Sequence, residues 1–175
     1  MYVMNKISPI KRNENLVLLS RDHHDGLLTV WKVRQGLKNG TPCSVITAFI
    51  LHQNSVHLQP HFIAEEKWLF PTLNSKDGLR KIAEQQHEEL RKFVEEFSAP
   101  ANDQPESIET LHKRFEKFAA LLDEHIRFEE RVLFPHIEIS LSEQELRNIG
   151  QQLTIGHEEK KASGWTDEFW VRVKS

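Results

Sequence analysis

Apolar residues recur along most of the chain at steps of three and four, and no stretch alternates strictly enough to argue for a sheet. The pattern predicts an all-α protein. A first helix is expected from Ser20 to Lys38, with Ser20 as its N-cap and Asn39-Gly40 as a left-handed stop. Thr41-Pro42 has the form of an N-cap followed by proline in the first turn, opening a helix that continues to about Phe70 and should kink at Pro60. A third helix is predicted from Ser75 to Phe97, followed by a loop of small and polar residues over 98–105. Pro105 is expected to open a fourth helix that ends near Phe134. Ser142-x-x-Glu145 forms a capping box for a short fifth helix, and Trp165, Phe169 and Trp170 are expected to dock the C-terminal tail. Four long helices with short connections imply antiparallel neighbours. The expected architecture is therefore an antiparallel up-down four-helix bundle over about residues 16–139, with a C-terminal helix and tail over 140–175, in a single domain spanning 1–175.

The chain repeats itself. His61-Phe-Ile-Ala-Glu65-Glu66-Lys-Trp-Leu69-Phe70-Pro71 recurs 64 residues later as His125-Ile-Arg-Phe-Glu129-Glu130-Arg-Val-Leu133-Phe134-Pro135. An earlier histidine precedes each copy by nearly the same distance: His23 or His24 before the first, His87 before the second. The sequence thus reads as two helix pairs, each carrying one histidine and then a His-x3-Glu.

The fourth helix shows what that motif implies. Leu111, Phe115, Phe118, Leu122, His125, Glu129, Val132 and His136 form the stripe a helix presents to its neighbours, so His125 and Glu129 stand where a bundle ordinarily wants leucine. An unpaired buried carboxylate is costly and a buried ion pair is only weakly rewarding, so something must offset the cost. The second helix repeats the pattern at His61 and Glu65, and in the third Ala83, His87, Leu90, Val94 and Phe97 keep one face apolar around a single histidine. Imidazole and carboxylate four residues apart point the same way from a helix. Two such helices and two single histidines would supply four imidazoles and two carboxylates, a set suited to two divalent first-row metals such as iron, manganese or zinc.

Composition narrows the alternatives. In 175 residues, 38% hydrophobic and 28% charged, there is no apolar run of membrane-spanning length, and the N-terminal segment lacks the apolar core of a secretory signal, so cytoplasm is expected and a membrane is not. A net charge of -3 with interspersed signs gives no reason to expect nucleic acid. The single cysteine, Cys43, excludes an intramolecular disulfide and a thiolate cluster.

The pairs His61/Glu65 and His125/Glu129, the repeated Glu-Glu-x-x-Leu-Phe-Pro, and the opening Pro9-Ile-Lys-Arg and Leu19-Ser-Arg-Asp-His-His resemble the hemerythrin-like family, the HHE cation-binding domain, over roughly Pro9 to Pro135. The resemblance implies a four-helix bundle around a non-haem di-iron centre, with two Fe ions and with Zn or Mn as possible substitutes. Glu65 and Glu129 would bridge the ions. His61, His87, His125 and one of His23 and His24 would complete the coordination. The 64-residue offset maps His87 onto His23, whereas Leu27, Leu28 and Trp31 follow His24 at same-face positions, and this favours His24 with His23 as the alternative. His57, one turn before His61, is a possible fifth imidazole. Oxygen-carrying members of the family have a second histidine four residues before the third-helix ligand; Ala83 stands there in this chain, which opens the coordination and argues against simple oxygen carriage.

A lone histidine on an apolar stripe is more often a hydrogen-bonded core residue than a ligand; the paired repeat reverses that weighting. His52, His112 and His157 read as surface residues, His136 as a residue at the bundle end, and the Glu-Glu-Lys-Lys run at 158–161 as a solvated helix end. Glu66 and Glu130 lie about 100° around the helix from the proposed bridges, so they are expected in ion pairs with Lys67, Arg127 or Arg131, with support of an imidazole as their other role. Trp31, Trp68, Phe70 and Phe134 are expected in the core. The function expected is binding or sensing of oxygen, nitric oxide, peroxide or iron itself, without a classical enzyme's substrate site. The alternatives are a di-iron oxidase or peroxidase acting on a small substrate, and a metal-stabilised interaction module whose protein partner the sequence does not name.

Overall fold

The structure, a computed structural model, describes residues 11–99, 106–158 and 164–171. Among the described residues the elements are helical and there is no strand. A 3-10 turn at Glu14–Leu16, capped by the Asn13 side chain, leads into α1 (Val17–Asn39), which stops at Gly40 with φ 70°. Ser20 is therefore inside α1 and not at its cap; its hydroxyl donates to Glu130 at 2.7 Å. The second rod is α2 (Cys43–Gln53), a π turn at Asn54–Leu58, α3 (Gln59–Ala64), a second π turn at Glu65–Leu69 and a 3-10 turn at Phe70–Thr72. Pro42, at ψ 135°, is its N-cap, so Thr41 lies outside the helix.

The third rod, α4 (Gly78–Ser98), starts after Asp77, whose side chain accepts from the backbone N–H groups of Leu79 and Arg80. That cap displaces the expected start at Ser75. The fourth rod is α5 (Ile108–Phe128), capped by Ser107, then a π turn at Glu129–Leu133 and α6 (Phe134–Ser140). The expected start at Pro105 and most of the preceding loop lie outside the described residues, as do Pro9 and Ile10 of the opening motif and most of the 158–161 run. α7 (Glu143–Glu158) opens on the expected capping box, with Glu145 Oε2 accepting from the Ser142 N–H at 2.8 Å.

Each π turn ends two residues before a proline: Leu58 before Pro60, Leu69 before Pro71, Leu133 before Pro135. Proline lacks an N–H and its ring crowds the carbonyl four residues back, and a wider i→i+5 turn relieves that crowding. At Pro60, where a kink is expected, the structure has such a widened turn over Asn54–Leu58. The same device corrects the stripe on the fourth rod. One extra residue in the turn shifts the register, so Val132 is 42% exposed while Leu133 and Ile137 are fully buried.

The apolar interior is in two parts. Val30, Leu58, Phe62, Leu90, Leu122 and Ile126 belong to one cluster, and Leu19, Leu69, Phe70, Ala83, Leu133 and Phe134 to the other. On each of the four rods the candidate ligands lie where one set gives way to the other, which makes them a buried polar layer between two hydrophobic plugs. α1 packs closely on α5, where a Cβ at Gly26 would lie 2.7 Å from Ile126 Cδ1. The C-terminal tail docks as expected: the rings of Trp165, Phe169 and Trp170 lie 5.5, 5.1 and 5.9 Å from that of Phe49. Among the described residues no helix is long and apolar enough to cross a membrane.

Candidate metal centre

Six buried side chains from the four rods meet in the polar layer. Glu65, His87, His125 and Glu129 are fully buried, and His23 and His61 nearly so. Their donor atoms form two groups, His23, His61, Glu65 and Glu129 in one and His87, His125, Glu65 and Glu129 in the other, with all atoms of a group within 4.8 Å of one another. Both carboxylates belong to both groups, and each group has its own pair of imidazoles. Each group could hold a cation, and the two carboxylates are common to both.

The distances fit a small cation. Nε2 of His61 and Nε2 of His87 each lie 3.3 Å from Glu65 Oε2, and Nε2 of His125 and of His23 lie 3.3 and 3.0 Å from Glu129 Oε2. Two donors each about 2.1 Å from a common ion stand about 3.0 Å apart at a right angle and about 3.4 Å apart at the tetrahedral angle. The atoms left without a hydrogen-bond partner make the same point: His61 Nε2, His87 Nε2, His125 Nε2, both Glu65 oxygens and Glu129 Oε1 are buried and unsatisfied. A buried polar atom without a partner is costly, and here the unsatisfied atoms converge.

The other ring nitrogens are all engaged. His23 Nδ1 lies 2.7 Å from Glu130, His87 Nδ1 2.8 Å from Glu66, His61 Nδ1 3.3 Å from Asp22, and His125 Nδ1 3.1 Å from Gln86. These oxygens can only accept, so each Nδ1 carries the hydrogen and each Nε2 is left to face the centre. Two rings stack on phenylalanine: His23 on Phe134 with centroids 5.2 Å apart, and His87 on both Phe62 and Phe70 at 4.0 and 5.3 Å.

Charge among these side chains follows from this packing. Burial alone would push His23 down, but hydrogen bonds to Glu129 and Glu130 outweigh it and lift its pKa to about 10. His87 is lifted to about 9, against burial, by Glu65 and Glu66. His61 is raised against burial by the charge of Glu65 and the bond to Asp22. His125, pushed down by burial and by the charge of His87, is the imidazole held well below its ordinary range. Glu65 is held low, despite burial, by His61 and His87, while burial and the charge of Glu65 raise Glu129. Around them, hydrogen bonds with His87 and Arg91 overcome burial to bring Glu66 to about 2, and those with His23, Ser20 and Arg12 do the same for Glu130.

Several expectations change. His24 is exposed and lies in neither donor group; His23 takes the inward place. Leu28 and Trp31, which share a face with His24, are 39% and 48% exposed, whereas the 64-residue offset points to His23. Trp31 is accordingly not a core residue. His57 is half-buried and also lies outside both groups. Glu66 and Glu130 hold imidazoles and do not pair with Lys67, Arg127 or Arg131. Lys67 lies over the Trp68 ring, Arg127 pairs with Asp123, and Arg131 is exposed. The π turns explain this, because a wider turn advances each residue through a smaller angle and keeps adjacent glutamates on the inward side. His52 is half-buried against Trp165, His112 is half-buried, and His136 Nε2 meets Asp77 at 3.0 Å. The His157 side chain lies outside the described residues.

Four supporting residues were missed. Asp22 and Gln86 immediately precede the two leading histidines and are themselves 64 residues apart, so extending the repeat by one position would have found them. Arg12, which bonds Glu130 and Glu138, and Arg91, which bonds Glu66, carry no such signal.

No curated protein and no solved structure matches the chain. A family model does, over residues 19–137, a span that contains all six buried donors. The chain belongs to the hemerythrin HHE cation-binding domain family.

Proposed function

We propose that the chain is a single-domain non-haem di-iron protein, built as an antiparallel up-down bundle, whose centre binds or senses a small oxidant or diatomic: oxygen, nitric oxide or peroxide. The observation that carries the reading is the convergence of buried imidazole and carboxylate atoms that have no hydrogen-bond partner. His23 and His61 would hold one ion, His87 and His125 the other, and Glu65 and Glu129 would span both. Nitrogen and oxygen donors of this kind suit iron, and also zinc or manganese. Iron held there would supply electron exchange with an exogenous ligand.

The chain's own residues do the rest. Glu66, Glu130, Asp22 and Gln86 fix the ring orientations, and the two apolar clusters keep bulk water away. Two imidazoles and two shared carboxylates offer four donors to each ion, which leaves room for an exogenous ligand. Ala83, fully buried, offers no fifth. Beside His23, His57, His61 and His125 is a cavity of about 10 Å³ next to Gly26. That is about the volume one water-sized molecule needs, so it suits a diatomic and not an organic substrate. Ferrous-loaded protein exposed anaerobically to nitric oxide, and separately to oxygen and peroxide, should gain new visible absorption with at least one of them. Unchanged spectra with all three, at full metal content, would overturn the reading.

A second reading, turnover of a small organic substrate, has one observation in its favour. A surface cavity of about 300 Å³ is bounded by Leu19, Asp22, Ile63, Lys67, Trp68 and Leu153. Asp22 also contacts His61, so an occupant would sit one residue away from the centre. Metal-dependent turnover blocked by Ile63→Trp would favour this reading.

A further inference from the structure

The supports behind the four imidazoles are not equivalent. Three Nδ1 atoms face carboxylates, Glu130 behind His23, Asp22 behind His61 and Glu66 behind His87; the fourth, on His125, faces the side-chain carbonyl of Gln86. Asp22 and Gln86 occupy matching places in the internal repeat. One half of the centre is therefore backed by two carboxylates and the other by one carboxylate and one neutral amide.

We propose that the two metal positions are inequivalent, and that the position bounded by His23 and His61 fills first because Asp22 supplies a charge that Gln86 cannot. The inference rests on the two-ion reading above. A carboxylate behind a ligating imidazole fixes the ring and makes its other nitrogen a stronger donor, an effect worth about 10–100-fold in metal affinity. A hydrogen bond to an ionised acceptor is also roughly twice as strong as one to a neutral acceptor, which outweighs the small difference between 3.3 Å at Asp22 and 3.1 Å at Gln86. The Asp22 side chain is 12% exposed, so solvent screens its charge only slightly. The shared Glu65 and Glu129 serve both positions and do not distinguish them. Behind the two leading histidines the supports balance: Glu130 is held by Arg12 and Glu66 by Arg91.

The test uses zinc alone, which is redox-silent, on the full chain freed of metal. Calorimetric titration should resolve two steps separated by about tenfold or more. Anomalous diffraction from crystals grown with one equivalent should place the ion between His23 and His61. Asp22→Asn keeps an acceptor oxygen but removes the charge; it should weaken the first step by about 10–100-fold and distribute one equivalent over both positions. Gln86→Glu should strengthen the second step instead, and as a gain it does not depend on a damaged variant. Equal occupancy in the wild type at one equivalent, or first filling between His87 and His125, would overturn the inequivalence while leaving two ions per chain at saturation. A single occupied position at saturation would overturn the two-ion reading, and this inference with it.

Discussion

Glu66 Oε1 lies 2.8 Å from Nδ1 of His87, while the adjacent Glu65 presents Oε2 3.3 Å from Nε2 of the same ring. One imidazole is held at both edges by consecutive carboxylates. The second copy of the motif does the same to His23, through Glu130 at 2.7 Å and Glu129 at 3.0 Å. Each copy clasps the leading histidine of the other half, so the repeat is a reciprocal exchange between two helix pairs. Removing the charge at the outer edge should loosen the ring without touching a donor. Glu66→Gln and Glu130→Gln are each expected to fold and to lose about 10–100-fold in metal affinity by chelator competition, whereas Glu95→Gln on the exposed face should change nothing.

The same clasp sets the pH behaviour. With His23 raised to about 10 and His87 to about 9, the metal-free centre is protonated at neutral pH, and a cation must displace those protons. Metal affinity should therefore climb with pH well above the ordinary imidazole range, up to about pH 9–10. Titrations at pH 8 in buffers of different ionisation enthalpy should register more than one proton released per chain. For the metal-free protein the sign reverses. A raised imidazole contributes stability that is fully present below 6.5 and is lost as pH rises through its folded value, so the thermal midpoint in chelator should fall between pH 6.5 and pH 9. With zinc bound it should hold or rise over the same interval.

The register shift at the third π turn is open to a direct comparison. Leu133→Ala should cost about 2–5 kcal/mol in denaturant unfolding, as expected for a fully buried leucine. Val132→Ala, at a site 42% exposed, should change stability by less than about 0.5 kcal/mol. An uninterrupted helical stripe would give the reverse order.

Proline after each π turn leads to an outcome against simple helix propensity. Alanine is favoured over proline by about 3 kcal/mol in a helix interior. Pro135→Ala should nonetheless weaken metal binding, because it removes the crowding that holds the turn at Glu129–Leu133 open and lets Glu130 rotate away from His23. Chelator competition with helicity followed by circular dichroism checks this; unchanged affinity would mean the turn is widened by something else.

Much of the candidate site was legible in the residues. His61, Glu65, His87, His125 and Glu129 could be named because a polar group on an apolar stripe is conspicuous and the stripe repeats. The Gly40 stop, the Ser142/Glu145 box and the docking of Trp165, Phe169 and Trp170 were legible for the same local reasons. What escaped depended on helix register. Adjacent His23 and His24 differ by a single step around α1, and the apolar neighbours used to choose between them, Leu28 and Trp31, face outward. Val132 and Glu130 were misplaced because uniform helical spacing has no place for a widened turn. The prolines at 60, 71 and 135 were the available signal. Arg12 and Arg91 reach the centre's rim through tertiary packing alone.

The central claim is that six side chains hold two ions, and metal content measures it. Protein purified anaerobically, stripped, reloaded with ferrous ion and desalted should retain two irons per chain, one for each donor group. His61→Ala and Glu129→Ala should retain sharply less, while His24→Ala should match the wild type. Wild-type protein that folds stably, retains no metal and gains no thermal stability from ferrous ion would contradict the account.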